Sequence, residues 1–548
     1  MDILKSTWFS YLPMLDWESV TVFVPVVSAC IVIYVSVQLL SSFLSDVHVD
    51  APSGATHSWT SLDALPKASH CGVCEALLVE GVYCDCCGLC VDRGCMRTAD
   101  RHQPCKAVST RQPAGTPWRH HFVKGNTSLD AKCEVCEDEC SGSTCGGGEG
   151  GDLDLECCWC HRAVHSSCRA KLANVCDFGR LRQFIVPPHS LELAGRRASI
   201  SNRLRIQSIK PVDWPEWTPI IVLANKTSGN KDGGRVLSMF RRLLNPAQVV
   251  DLGAVPMEAV LEWCALLGPR VRPLFLIAGG DGTVAWFLTT AHRLNIKPSP
   301  AVCVIPLGTG NDLARVLGWG SSYTPTDDGG LQILTKVQAA KHIPLDRWLV
   351  EVEVTRPLGL GKKKGLCMYN YLSVGVDAQV TLDFHRTRHS PFYIVSSRLF
   401  NKVLYLLFGT QQVMERSCQD LDQRIELYLD GVRQELPSIE AIVVLNIPSW
   451  GAGVNLWQVG SDENSDLPEQ SVNDGLLEVV AVYSSFHIAQ LQVGLSEPLR
   501  IGQAKCVKIK MKSKTAMQVD GEPWLQQPAT ITVTSANNQA TVLSLVDR

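Results

Sequence analysis

Three apolar, strand-like runs in the middle of this chain each end in a glycine-rich loop that leads into a helix-like run. This repeated unit restricts the fold more than any other feature. Residues 220–224 (Ile-Ile-Val-Leu-Ala) lead to Asn225-Lys226-Thr227-Ser228-Gly229, with Gly233 and Gly234 ahead of a helix. Residues 273–278 lead to Gly279-Gly280-Asp281-Gly282-Thr283 and an expected helix over 284–294. Residues 301–305 lead to Pro306-Leu307-Gly308-Thr309-Gly310-Asn311-Asp312-Leu313-Ala314-Arg315, which again opens a helix. One such loop is no more than a tight turn; three predict a parallel sheet with a ligand at its carboxyl edge. Glycine lets the backbone approach phosphate oxygens, and a helix N-terminus offers unpaired N–H groups to an anion. Asp281, the acid inside the second loop, stands where a carboxylate holds a metal ion or takes a proton.

Together these residues resemble the lipid kinases of the diacylglycerol kinase family. The matching motifs are residues 279–283 and 306–315. The first is shared with sphingosine kinases, 6-phosphofructokinases and NAD kinases, so it indicates nucleotide chemistry without naming a substrate. The second is more typical of diacylglycerol kinases. The resemblance continues through Asn370-Tyr371-Leu372-Ser373-Val374-Gly375-Val376-Asp377-Ala378, through 392–405 and through Asn446-Ile447-Pro448-Ser449. It ends at Asp520-Gly521-Glu522-Pro523-Trp524 and covers roughly the last three-fifths of the chain.

A chain of 548 residues is too long for one core and predicts three or more modules. Its formal net charge of −3 gives no general case for nucleic-acid binding. The 23 cysteines are unevenly spread: seventeen lie between Cys71 and Cys176, and five beyond. Crowding at short spacing beside histidines points to zinc in a reducing compartment, not to a disulfide framework.

Residues 19–45 contain no charge and are dominated by Val, Ile, Leu and Phe, long enough for a membrane-spanning helix. A secretory signal fits less well, because the run is too long and its start is not basic. Pro25 allows a kink or a shallow hairpin instead. The expectation is a single-pass anchor with the remainder cytosolic. The endoplasmic reticulum membrane follows from the family resemblance alone.

The second cysteine cluster has the spacing His120-x12-Cys133-x2-Cys136, then Cys157-x2-Cys160-x4-His165-x2-Cys168-x7-Cys176. It resembles the phorbol-ester/diacylglycerol type of zinc domain, with three cysteines and one histidine on each zinc. By that resemblance His120, Cys157, Cys160 and Cys176 hold one ion, and Cys133, Cys136, His165 and Cys168 the other. In the first cluster His57, Cys71, Cys74, Cys84, Cys87, Cys95 and Cys105 fill seven of the eight positions. Asp92 stands in the place of the second histidine, with Cys86, Cys90 and His102 as alternatives. The pair reads either as zinc-stapled spacers that pack on the catalytic region or touch the bilayer, or as diacylglycerol binders. The Gln-Gly pair usual in phorbol-responsive members is Glu80-Gly81 here.

Residues 177–217 lack core periodicity and carry Arg196, Arg197, Arg203, Arg205 and Lys210, a solvated linker or a segment attracted to anionic lipid. From 218 to about 360 strands and helices alternate. From 361 to 548 short strand-like runs at 425–429, 441–445, 477–482, 507–511 and 530–533 predict a β-rich lobe, with the ligand cleft between the lobes. The fold expected is therefore multidomain: an anchor (19–45), two zinc domains (57–105 and 120–176), a linker (177–217) and a two-lobed catalytic region (218–360 and 361–548).

The activity implied by the resemblance is ATP-dependent phosphorylation of membrane diacylglycerol to phosphatidic acid, with Mg²⁺ as cofactor and structural Zn²⁺. Asn225, Thr227, Gly229, Gly279, Gly280, Gly282, Thr283, Gly308, Thr309, Gly310 and Asn311 suit the nucleotide. Asp281 is the leading acid. The resemblance places Asp520 and Glu522 near the lipid hydroxyl, Asp520 as general base, although Asp520-Gly521 also reads as a hairpin turn like Asp430-Gly431. Asp474 is a candidate for a supporting metal site. Arg315, Arg398 and Lys402 either neutralise phosphate or are surface charge. The alternatives are a sphingosine or ceramide kinase and a catalytically inactive diacylglycerol-binding scaffold.

Overall fold

The computed structural model describes residues 48–49, 57–62, 69–78, 80–110, 116–125, 127, 130–140, 154–193, 204–229, 232–324, 329–354, 363–388, 418–460 and 467–546. Among them no helix is long and apolar enough to cross a membrane. That corrects the expectation of a single-pass protein of the endoplasmic reticulum membrane. The span expected over 19–45 lies outside the described residues, as do Arg398 and Lys402.

The first catalytic lobe is built on β1 (Ile220–Ala224), β2 (Val249–Asp251), β3 (Leu274–Gly279), β4 (Ala301–Pro306), β5 (Lys341–Leu345) and β6 (Ala540–Ser544). Their order in the sheet is β2-β1-β3-β4-β6-β5, parallel except for β5. Every residue of β1, β3 and β4 is buried, which is why these strands read as unbroken apolar runs. The chain moves from β1 outward to β2 and then returns to β3 on the other side. The sheet therefore reverses direction beside the carboxyl ends of β1 and β3, where α/β sheets bind ligands. Helices α1 (Asp232–Leu243), α2 (Met257–Leu267), α3 (Asp281–Arg293), α4 (Asp312–Val316) and α5 (Gly329–Ala339) follow these strands. The last strand, β6, comes from the C-terminus and is held by Trp319, whose Nε1 donates to the carbonyl of Leu543 at 2.8 Å. The first lobe is thus completed by residues almost two hundred positions beyond its other strands, a closure absent from the sequence reading.

The second lobe stacks two six-stranded antiparallel sheets. One runs from Lys363–Met368 through Trp348–Val354, Ala529–Ser535, Cys506–Met511 and Ile425–Leu429 to Val432–Arg433. The other runs from Leu499–Ala504 through Leu477–Val482, Ala441–Leu445, Tyr371–Gly375 and Thr515–Val519 to Glu522–Gln526. Ile442 and Val444 face the core between the sheets, while Ala441, Val443 and Leu445 face a second core with Val376 and Val380 of α6 (Val376–Arg388). Alternation along one strand feeds two cores at once.

Residues 178–186 are not a solvated linker. Phe178, Leu181, Phe184, Ile185 and Val186 are buried, and Leu191–Leu193 pairs with Leu204–Ile209. The zinc-domain region packs directly on α1. Tyr83 Oη lies 2.8 Å from Ser238 Oγ, and Ser238 Oγ donates to Asp85 Oδ1 at 2.8 Å. Lys106 is fully buried there; its Nζ donates to the carbonyl of Arg242 at 2.6 Å and sits 4.5 Å from the Trp159 ring centroid. Of the two roles expected for the zinc domains, packing on the catalytic region is visible.

Candidate active site

The loops after β1, β3 and β4 open into a cavity of about 850 Å³ whose other wall comes from the second lobe. Thr227, Gly229, Gly280, Asp281, Gly282, Thr283, Gly308, Thr309 and Gly310 line it from the first lobe, and Asp520 and Glu522 from the second. Trp286, Leu307, Phe384 and Val454 add apolar surface.

The residues expected at the nucleotide that do not line the cavity, Asn225, Gly279 and Asn311, hold the loops that do. Asn225 Oδ1 accepts from the backbone N–H of Thr227 at 2.9 Å and from its hydroxyl at 2.7 Å. Asn311, in the left-handed conformation, accepts from Gly308 N–H and donates to the carbonyls of Gly308 and Ser321, each at 2.9 Å. Gly279 ends β3, and its carbonyl accepts from Leu307 N–H at 3.0 Å. Gly308 has no room for a side chain: a Cβ there would stand 2.6 Å from the Cα of Gly280. The second and third loops therefore meet backbone to backbone. Arg315 Nε donates to the carbonyl of Gly310 at 3.0 Å and fixes the third loop from beneath.

Asp281, the first residue of α3, accepts from the N–H groups of Asp312 at 3.0 Å and Leu313 at 2.9 Å. It thereby ties the second loop to the first turn of α4. Asp312 is buried, and its carboxylate accepts from Ser449 Oγ at 2.5 Å and Ala452 N–H at 3.4 Å, both from the second lobe. Burial first, and then the charge of Asp281, hold Asp312 above the ordinary aspartate range. Asp312 is a functional candidate that sequence reasoning quoted within a motif without singling it out. Its signal was a carboxylate between a glycine loop and the apolar Leu313-Ala314.

Asp520 sits at the turn between Thr515–Val519 and Glu522–Gln526 with positive φ, so the hairpin reading holds. It is also buried against the cavity. Its carboxylate accepts from the N–H groups of Tyr369 and Asn370 at 2.8 Å and Tyr371 at 3.1 Å. Burial raises it to about 7, against the opposing pull of those three N–H groups. Glu522 is exposed, and its Oε1 lies 3.4 Å from the Cβ position of Gly282 across the cleft. Asp474 does not line the cavity; it accepts from Leu476 N–H at 2.9 Å, and burial raises it above the usual range.

The donors gathered around Asp281 and Asp312 suit a hard divalent cation. Asp312 Oδ2 lies 3.1 Å, and Asp281 Oδ2 3.5 Å, from the same point beside Gly310.

Zinc fits three donor sets of the N-terminal domains: His57/Cys84/Cys87/Cys105, His120/Cys157/Cys160/Cys176 and Cys133/Cys136/His165/Cys168. A tetrahedral zinc with bonds of ~2.3 Å holds sulfurs ~3.8 Å apart. The Cys84–Cys105 and Cys157–Cys176 sulfurs are 3.6 and 4.0 Å apart. In each set the histidine turns Nδ1 toward a thiol. Nε2 of His57 and of His165 meets the carbonyls of Gln103 and Glu139, the outer partner that orients a ligating imidazole. The fourth set contains Cys71, Cys74 and Cys95 without Asp92. The expected role of Asp92 is corrected: its carboxylate caps the turn that follows, accepting from Gly94 N–H at 2.7 Å.

Two family descriptions match the chain: the diacylglycerol kinase catalytic domain over residues 219–342 and the diacylglycerol kinase accessory domain over 367–523. The chain belongs to the diacylglycerol kinase family. It is similar to "Probable diacylglycerol kinase 3" of Caenorhabditis elegans, with 32% identity over 90% of this chain and 65% of that protein. "Diacylglycerol kinase 1" of Arabidopsis thaliana shares 28% identity over 89% of this chain and 83% of that protein. "Diacylglycerol kinase theta" of Homo sapiens shares 37% identity over 60% of this chain and 35% of that protein. The chain thus spans just under two thirds of the nematode relative and about a third of the human one.

Proposed function

We propose that this chain transfers the γ-phosphoryl group of ATP to the free hydroxyl of 1,2-diacylglycerol, releasing phosphatidic acid and ADP. The observation that carries the reading is one cavity floored by three glycine-bearing loops, with Asp281 and Asp312 from one lobe and Asp520 from the other. Phosphoryl transfer is chiefly positioning and charge neutralisation, and this site offers both. Thr227, Thr309 and the backbone N–H groups of the loops bind phosphate oxygens. Asp281 and Asp312 hold Mg²⁺, which when bound neutralises charge on those oxygens. Asp520 takes the proton from the attacking hydroxyl as the new P–O bond forms and the bond to the β-phosphate oxygen breaks. A carboxylate held near 7 suits that exchange at neutral pH. Trp286, Phe384 and Val454 offer apolar contact to the glycerol end of a lipid presented from a membrane surface.

The test offers full-length, zinc-loaded protein labelled ATP and Mg²⁺ with diacylglycerol, sphingosine or ceramide in mixed micelles. Label is expected in phosphatidic acid. Label in a sphingoid product moves the substrate class. Diacylglycerol binding without transfer supports an inactive scaffold.

A further inference from the structure

We infer that the Cys71/Cys74/Cys95 cluster is a metal site closed by three thiolates only, whose fourth position is left to an exchangeable solvent ligand. The contrast lies within one molecule. Among the described residues three sets gather three cysteines and a histidine; Cys140/Asp154/His165 shares its histidine with one of these, and Cys71/Cys74/Cys95 is a separate set of three cysteines.

The missing ligand is not a matter of a side chain pointing slightly astray. Asp92 occupies the sequence position of the fourth donor, but its carboxylate is the N-cap of the short turn Arg93–Cys95. The same turn delivers Cys95 to the cluster, so releasing the cap disturbs a ligand that is already in place. Asp92 contributes through its backbone instead: its N–H points at Cys71 Sγ at 3.4 Å. The remaining spare thiols are engaged elsewhere. Cys90 Sγ faces the carbonyl of Gly88 at 3.7 Å, and the Cys86 thiol is engaged with Cys105 and Cys84 of the neighbouring metal set. Among the described residues no further Cys, His, Asp or Glu joins the three sulfurs. Cys74 is exposed, so solvent reaches the open position.

Zinc sites with four protein donors are closed and structural, whereas a site with three keeps a position for water or another small donor. An open position also lets an incoming chelator bind before the thiolates leave. The first domain does not depend on this metal for its attachment to α1. Tyr83 and Asp85, which meet Ser238, flank Cys84 of the four-donor set. The inference is therefore one of exchange: this zinc leaves and returns while the domain stays docked. It stands apart from phosphoryl transfer, and its test reads metal.

Full-length, zinc-loaded protein is mixed with excess 4-(2-pyridylazo)resorcinol, and zinc release is followed by absorbance, with the zinc count fixed by native mass spectrometry. One zinc is expected to leave about tenfold or more faster than the other three, as an open coordination position implies. Cys74→Ser abolishes the fast phase and keeps the slow ones. Asp92→Asn, which keeps an oxygen to cap the turn but removes the anionic donor, leaves the rate and amplitude of the fast phase unchanged. Release of all zinc at one rate, a fast phase that survives Cys74→Ser, or only three zincs in the wild type overturns the inference. A changed fast rate in Asp92→Asn also overturns it, since the Asp92 carboxylate is then a ligand. If Cys74→Ser fails to fold, the wild-type phases and the Asp92→Asn comparison still decide.

Discussion

The hydroxyl of Ser449 donates to Asp312 Oδ1 at 2.5 Å, so a carboxylate of the nucleotide lobe is held by the β-rich lobe. Neither residue completes the site alone, and their separation of 137 positions hides the pairing from any local motif. Ser449→Ala leaves a buried carboxylate oxygen without this donor. Loss of a hydrogen bond to a buried charged group costs about 1–3 kcal/mol. The expected outcome is a lower melting temperature and a kcat reduced by about tenfold or more. Removing the donor also raises Asp312 further, so the acidic limb of the pH–rate profile moves to higher pH. Calorimetry and steady-state kinetics check both.

Asp520 predicts an unusual dependence of stability on pH. Unfolded, it titrates near 3.8; folded, burial holds it at about 7. Between these values the native state binds a proton that the unfolded state has released. Stability from this group is therefore full below about pH 4 and declines as pH rises toward 7. Asp520→Asn removes the decline, which denaturant titrations at pH 4.5 and 7.5 measure. The same substitution removes the proton acceptor and lowers kcat by about 10²- to 10⁴-fold, with the KM for ATP little changed.

Gly308→Ala forces a Cβ to within 2.6 Å of the Gly280 backbone, so the second and third loops must part. Overpacking of this kind costs about 1–3 kcal/mol, and here it displaces the phosphate-facing loops themselves. The KM for ATP rises and the melting temperature falls. Gly234→Ala is the control. Its Cβ meets nothing closer than 3.7 Å and lies within α1, where alanine favours the helix by about 1 kcal/mol. The melting temperature of that variant rises.

Strands β1, β3 and β4 of the first lobe were legible because every residue in them is buried and each leads into a glycine-bearing loop. What escaped the sequence reading depends on distance along the chain or on mixed local character. Lys363–Met368 is half exposed and opens with two lysines, so its strand identity comes from pairing with Trp348–Val354. Ala540–Ser544 looks like one more strand of the β-rich lobe until it is seen beside Ala301–Pro306. Residues 178–186 read as linker because their apolar side chains bury against neighbours on the zinc domains and β1, not along one periodic face. Asp281 was legible as an acid inside a glycine loop. Asp312 acquires its meaning only from Ser449 and Ala452. Asp92 matched by position, but its carboxylate caps the turn Arg93–Cys95.

Lys106 predicts that the zinc-domain region is part of the catalytic fold. Burial lowers its affinity for a proton, yet its Nζ serves the carbonyls of Arg241 and Arg242 at the end of α1. Lys106→Met keeps the volume and leaves those carbonyls unserved, at a cost of about 1–3 kcal/mol. The variant melts at lower temperature, and limited proteolysis between the zinc domains and β1 speeds up. An unchanged cleavage rate shows that the contact does not hold the two together.

The proposed phosphoryl transfer requires the glycine loops and the acids of the two lobes to act as one site. The most direct measurement is the rate of label transfer from ATP to a short-chain diacylglycerol by the wild type and by Asp281→Asn, with folding checked by circular dichroism. Labelled phosphatidic acid is expected from the wild type, and a rate lower by about 10²-fold or more from a folded Asp281→Asn, since charge neutralisation dominates. A folded wild type that transfers nothing, or a folded Asp281→Asn at the full rate, contradicts it.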